Sequence, residues 1–309
     1  MSPYTLKDHV TKAMSLTDNQ LAQPVVLKEI LHYEILNALS NSDLGDRLVF
    51  QGGTALRACY DGTRLSEDLD FVCGSGSPEP LDVGHLASVL QKAMQTRYGI
   101  EFDAVAGPNT DLGDGVGVKR WTFKIKVPWE SQMQRINFEV CNVPSLDAVP
   151  VVLRSPYEHQ QGLQGIVVLA ESQEEIYSDK LVALGLRSHL KARDVWDVHF
   201  LAQKGIQPNY DWVAQKVASY GRSDDEFLAG LDAAIERMQA PDAAEKFCSE
   251  MVRFVDSRMA TMFTNKPAFA GAWLRHAVAD LVKLKEAYPD FAQGRDELLS
   301  PAGTGYDGP

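Results

Sequence analysis

The stretch "FQGGTALRACYDGTRLSEDLDFVCG", residues 50–74, limits the fold of this chain more than any other segment. "RLVFQG" reads as a short buried strand, and Gly52 and Gly53 follow as a turn. Residues 53–60 have a helical pattern, and "DLDFVC" alternates as a second strand. The order is strand, glycine turn, short helix, strand. On the second strand Asp68 and Asp70 stand at i and i+2, so both carboxylates project from one face, where a hard divalent cation could take oxygens from each. The alternative for an isolated Asp-x-Asp is a solvent-facing acidic strand end. The two glycines favour the first reading: they let backbone approach a ligand closely, and the helix behind them offers free amide groups to an anion. Phosphates and a metal would then meet at one point.

The rest of the first half supplies a sheet to carry that point. "PVVLKEILHYEILNAL" (24–39) has Val26, Ile30, Leu36 and Leu39 near helical spacing, with Pro24 suited to a first turn. After the loop "GSGSPEP" the pattern predicts a helix near 82–97 and strands at 100–106, 118–128 and 135–141. In "RWTFKIKVPW" the alternation of Trp121, Phe123, Ile125 and Val127 with polar residues marks a half-exposed strand. From about residue 171 the pattern turns helical: "SQEE" (172–175) has capping-box form and predicts a helix to about His189. The tail "PAGTGYDGP" is expected to be mobile. The expectation is an α+β chain divided into residues 1–168 and a helical part, residues 169–309.

Composition excludes several functions. The chain has 309 residues, 45% hydrophobic, enough for a sizeable core. The four cysteines (Cys59, Cys73, Cys141, Cys248) lack zinc-ligand spacing and show no disulfide framework, which fits a reducing cytoplasm. There is no apolar run near 18 residues and no signal-peptide core, so membrane spanning and secretion are not expected. A net charge of −12 argues against coating nucleic acid non-specifically. Any nucleic-acid contact must use a local basic patch or a metal-bridged triphosphate. One candidate is Lys119, Arg120, Lys124 and Lys126 with Trp121 and Trp129, a mixture suited to a nucleic-acid strand and equally ordinary on a half-exposed sheet face.

"GGTALRACYDGTRLSEDLDF" resembles the first signature of the AbiEii/AbiGii-type nucleotidyltransferases, toxins of bacterial toxin–antitoxin and abortive-infection systems, MenT-like toxins among them. That resemblance implies the DNA polymerase β-like nucleotidyltransferase fold, a mixed sheet with flanking helices followed by a mostly helical C-terminal domain. It also implies that Ser66, Asp68 and Asp70 are active-site residues and that Gly52, Gly53 and Thr54 line the nucleotide phosphates. Glu139 in "INFEV" is similar to the acidic residue of the second signature, completing a metal set of Asp68, Asp70 and Glu139. "EIYSDKLVA" resembles the third, through Glu175, Lys180 and Ala183, and "DVWDV" the fourth, through Asp194 and Asp197. Together the four signatures span residues 52–197 in order; the resemblance does not clearly extend over the last hundred residues.

The resemblance implies transfer of NMP from an NTP, with Mg²⁺ or Mn²⁺, to an acceptor that in characterised relatives is transfer RNA, which blocks translation. Lys180 would neutralise phosphate charge as pyrophosphate leaves; Asp194 would orient Lys180 or an incoming hydroxyl. Ser66 could donate to a phosphate oxygen or itself accept a nucleotide. Arg64, with Glu175 and Asp197, joins the nucleotide-binding set, and Arg57 and Arg193 are further phosphate or RNA candidates. A cognate antitoxin is the implied protein partner, and no membrane is involved. Two other classes stay open. A drug-modifying nucleotidyltransferase would need an acidic pocket for a cationic substrate; a non-catalytic binding module would have no use for intact Asp68, Asp70, Lys180 and Asp194.

Overall fold

The computed structural model describes residues 5–73, 83–113, 116–131, 133–157 and 165–299. Thr5 caps α1 (Leu6–Thr17) through a reciprocal bond pair with Asp8. It leads to α2 (Gln23–Ser40), whose Val25, Val26, Ile30, Leu31, Ile35 and Leu36 are buried on several faces. A helix this apolar around its circumference is a core helix, and α2 packs on the sheet and on α4. The glycine stretch forms β1 (Val49–Gln51), α3 (Gly52–Cys59) and β2 (Leu69–Val72), in the expected order. Next come α4 (Val83–Tyr98), β3 (Glu101–Ala106), β4 (Thr110–Gly113), β5 (Val116–Lys126), β6 (Gln134–Cys141), β7 (Ala148–Val152) and β8 (Val167–Glu171). The helical half runs through α5 (Gln173–Leu186), α6 (Ala192–Gln203), α7 (Tyr210–Ser219), α8 (Asp224–Gln239), α9 (Ala243–Met251), α10 (Ser257–Asn265) and α11 (Gly271–Leu299). The loop at 74–80 and the tail expected to be mobile lie outside the described residues.

The strands form one mixed sheet in the order β3-β5-β6-β2-β1-β8-β7, with β4 also on β5. Two pairings are parallel, β2 with β6 and β1 with β8; the others are antiparallel. Because strand side chains alternate, the register sorts the residues onto two faces. On one face Phe50, Phe71, Phe138 and Phe123 form a row of rings with successive centroids 5.1, 4.7 and 5.4 Å apart. This face belongs to the main core, which continues through the helical half to Leu281, Leu284 and Tyr288. On the other face Gln51, Asp70, Glu139 and Arg120 lie side by side across β1, β2, β6 and β5. That row sits beside a small apolar cluster of Val49, Val72, Val116, Cys141 and Val143.

Three strands, β4, β7 and β8, were not expected, and β8 carries the sheet three residues past residue 168. The α5 helix ends at Leu186, short of His189, and Asp68 stands one residue ahead of β2 instead of on it. All four cysteines are free thiols. Among the described residues no helix is long and apolar enough to cross a membrane.

Candidate active site

The polar row of the sheet opens into a cleft of about 320 Å³, closed on the far side by α5, α6 and the turn between them. Its floor is built by the glycine turn. Gly52 has φ +78°, a conformation that favours glycine, and a Cβ there would lie a tight 3.1 Å from Asp70 Oδ2. A Cβ on Gly53 would come within 2.0 Å of Arg64 Nη2; its absence lets the guanidinium pack on the turn. Thr54 is buried, and its hydroxyl donates to the Asp68 carbonyl. It ties α3 to the start of β2 and does not line the cleft, unlike the phosphate contact expected of it.

Asp68 and Asp70 both face the cleft. Asn137 donates to Asp68 Oδ1 at 3.0 Å. Burial, followed by the charges of Asp68 and Glu139, pushes the Asp70 carboxyl up to about 7 against the opposing pull of Lys180 and Arg187. Glu139 lies directly beside Asp70 on β6 and also lines the cleft, with one oxygen taken by Arg120 Nε at 2.7 Å. Ser66 is buried at 6% exposure and lines the same space.

The second half contributes an interlocked set of charges. Lys180 Nζ lies 2.8 Å from Asp194 Oδ1 and 2.9 Å from Asp197 Oδ2. Arg187 holds the other oxygen of Asp194, and Arg64 grips Asp197 with two bonds of 2.6 Å. Burial disfavours the Lys180 ammonium, but the two carboxylates outweigh it and hold its pKa above the ordinary lysine value. Burial likewise opposes the Asp194 charge, and Lys180 and Arg187 overcome it, holding the carboxyl well below the usual carboxylate range. Asp194 is therefore a poor general base and a good orienting anion. Asp194 and Asp197, at i and i+3 on α6, meet one ammonium, as helical spacing allows.

Glu175 is elsewhere. Ser172 caps α5 by accepting from the Glu175 N–H, but the Glu175 carboxylate does not return the capping bond. It accepts at 2.7 Å from the Leu146 and Asp147 N–H groups and the Ser145 hydroxyl, and pairs with Lys216 at 2.6 Å. Lys216 Nζ also lies 3.0 Å from Glu171 and Asp179. These three carboxylates have the spacing of a metal site, but the lysine ammonium already occupies their centre. Burial, then the Asp179 charge, raises the Glu171 carboxyl well above its ordinary value.

Of the basic candidates, Arg64 and Arg193 line the cleft, while Arg57 is committed to Glu29 at 2.6 Å away from it. Arg193 stacks on Phe254 with its guanidinium carbon 4.9 Å from the ring centroid. On β5 the charge is mixed: Lys124 stands between Asp103 and Arg135, Lys126 opposite Glu101, and Arg120 pairs with Glu139. Lys119 alternates to the other face. The strand is therefore a mixed-charge surface more than a basic stripe. Two cleft cations escaped the sequence reading, Arg187 and Lys191. The basic run "RSHLKARD" was their signal, and only the turn between α5 and α6 shows that it folds over the cleft.

Residues 34–275 match the family described as nucleotidyl transferase AbiEii toxin, type IV toxin–antitoxin system. The structure is similar to that of MenT4, a nucleotidyltransferase toxin from Mycobacterium tuberculosis, with a TM-score of 0.54 and 16% identity over 96% of this chain and 99% of that one. It also aligns with JHP933 from Helicobacter pylori, with a TM-score of 0.47 and 18% identity over 89% and 98% of the two chains. No curated protein matches the chain significantly.

Proposed function

The chain belongs to the AbiEii family of nucleotidyltransferase toxins, and from that premise we propose that it transfers NMP from an NTP to an RNA acceptor, a transfer RNA, and so blocks translation in the cytoplasm until a cognate antitoxin restrains it. The observation that carries this reading is convergence: Asp68 and Asp70 from one half of the sequence and Lys180 and Asp194 from the other line one cleft. We likewise keep the division at residue 168 as a proposal, with the active site between the two parts.

A divalent cation, Mg²⁺ or Mn²⁺, fits the hard oxygens of Asp68 and Asp70 with Glu139 beside them. The Asp70 carboxyl is raised first by burial and then by the Asp68 and Glu139 charges, more than Lys180 and Arg187 offset, so a bound cation would favour its ionised form. Such an ion would supply charge neutralisation at the α-phosphate and the leaving pyrophosphate. The remaining work falls to the chain. Gly52 and Gly53 bring the turn to the cleft lining, with the Arg64 guanidinium packed on Gly53 as a contact for phosphate oxygens, and Ser66 either donates to one of them or accepts a nucleotide itself. Lys180, held cationic by Asp194 and Asp197, offsets charge on the departing pyrophosphate. Arg64 fixes Asp197, and Asp194 fixes Lys180 and Arg187.

The cationic share of the cleft supports this reading over drug modification. A cationic drug calls for an acidic pocket; here Arg64, Arg120, Lys180, Arg187, Lys191 and Arg193 stand in the lining beside Asp68, Asp70, Glu139, Asp179 and Asp194. That suits a polyanion. Incubating the protein with each labelled NTP, Mg²⁺ and total RNA tests the proposal: label enters RNA with wild type and does not with Asp68→Ala. Label on the protein alone that is lost in Ser66→Ala would assign Ser66 the acceptor role, and label in neither would refute the transfer.

A further inference from the structure

Among the described residues six cationic side chains line the catalytic cleft, and five of them already face a carboxylate. Arg64 is held by Asp197 at 2.6 Å and Arg120 by Glu139 at 2.7 Å; Lys180 contacts Asp194 and Asp197, and Arg187 pairs with Asp194. Arg193 has Glu250 at 3.6 Å and packs its guanidinium on the Phe254 ring. Lys191 is the sixth. Among the described residues its ammonium has neither an ion pair nor a hydrogen bond.

The local chain path accounts for the exception. Lys191 is the N-cap residue of α6 and serves the helix through its backbone, the carbonyl accepting from Asp194 N–H at 3.0 Å, while its side chain makes no capping bond. Glu250, the carboxylate at this helix end, is taken by Ala192 N–H at 3.0 Å and by Arg193. The Lys191 side chain is half-buried in the cleft wall, neither fully solvated like a surface lysine nor paired like a buried one. Burial and then the Arg187 charge, with Arg193 adding to them, hold its pKa below the ordinary lysine value against the pull of Asp194 and Asp70. A bound anion would reverse that balance.

We propose that Lys191 binds the terminal phosphates of the NTP, the part that departs as pyrophosphate, in a role separate from that of Lys180. The assignment rests on the transfer proposed above. Lys180 is pinned between two carboxylates, so an arriving phosphate must share its charge with them. The Lys191 charge is uncommitted, and a flexible stem with three N–H donors can follow a phosphate as it leaves. The pull of Asp70 on Lys191 puts the ammonium within electrostatic reach of the acidic row of the sheet. That placement favours the nucleotide held in the cleft over the RNA backbone as the source of the phosphate.

Calorimetric titration of the full chain with inorganic pyrophosphate and Mg²⁺ tests the contact without turnover. Lys191→Met should weaken pyrophosphate binding by about tenfold, the loss of one charge-assisted contact, and Lys191→Arg should recover part of it. Removing a cation that serves only the fold orphans its carboxylate; Lys191 leaves none behind, so Lys191→Met should keep the wild-type Tm or exceed it. Pyrophosphate affinity that Lys191→Met leaves unchanged, or no pyrophosphate binding by wild type, would overturn the proposal. In label transfer the same variant should raise KM for NTP and leave KM for RNA, and the reverse pattern would give Lys191 to the RNA backbone and refute the assignment. If label enters RNA while Lys191→Met binds pyrophosphate as wild type does, the inference falls and the transfer stands. If pyrophosphate binding depends on Lys191 and no label moves, the transfer falls and the phosphate site stands.

Discussion

Replacing Lys180 by methionine keeps the side-chain stem and removes the ammonium that joins the two helices of the cleft. That ammonium contacts Asp194 at 2.8 Å and Asp197 at 2.9 Å, with all three groups buried. Orphaning a buried charge costs about 3–5 kcal/mol. Neither carboxylate is orphaned here, because Arg187 keeps Asp194 and Arg64 keeps Asp197. The expected loss of stability is therefore smaller, about 1.5–3 kcal/mol, which for a chain of this size lowers Tm by roughly 2–5 °C. Catalysis should fall separately: loss of a charge-assisted phosphate contact of about 1.5–3 kcal/mol reduces kcat/KM by more than roughly tenfold. Thermal unfolding followed by circular dichroism and label-transfer kinetics well below the variant's Tm measure the two effects. Combined with Asp194→Asn, the substitutions should couple by about 0.5 kcal/mol or more, as residues sharing one network do. Strict additivity would refute the buried pairing, and wild-type turnover would remove Lys180 from the phosphate path.

Asp70→Asn should flatten the pH dependence of the cation-free protein. With a native pKa raised from 3.8 to about 7, Asp70 keeps a proton that the unfolded chain has released, so wild-type stability falls as pH rises across that window; urea midpoints in chelator that show the same slope in both proteins would contradict this. Gly230→Ala should destabilise by about 1–3 kcal/mol, because its Cβ would sit 1.9 Å from the Gly185 carbonyl oxygen where α8 crosses α5; an unchanged Tm would show that the crossing relaxes freely. A chain ending at residue 150 should transfer no nucleotide, since it lacks α5 and α6; measurable transfer would place the active site wholly within the sheet.

The features readable in the sequence were those dictated over a few residues. The glycine turn, the Asp-x-Asp spacing and the start of α5 each follow from local backbone or capping chemistry; the turn and the α5 start are found where expected, and the aspartate pair with Asp68 one residue ahead of its strand. Glu175 shows the limit. It stands five positions before Lys180, which on a helix is about 140° around the axis, so the two side chains leave on different faces, one toward Lys216 and the other toward Asp194. Thr54 could not be read because its hydroxyl partner is a backbone carbonyl just ahead of β2, fourteen residues on. Arg187 and Lys191 enter the cleft only through the tertiary path of the turn between α5 and α6. The strands β7 and β8 were missed for a related reason: "VVLAE" has little alternation to identify it, and its place is set by pairing with a β1 formed far earlier in the chain.

That parallel pairing also has a temporal side. Phe50 meets Ala170 across about 120 residues of chain, whereas β1 meets β2 after a short helix. Loop closure makes the distant contact the slow one, and synthesis delivers the N-terminal partner first. A chain emerging from the ribosome can assemble β1, α3 and β2, with Asp68 and Asp70 in place, well before α5 brings Lys180 and α6 brings Asp194. The acidic half of the site is thus born early and the cationic half late. On the function proposed above, such a transferase would stay chemically incomplete through about the first three-fifths of its synthesis, since a product truncated at that stage lacks Lys180.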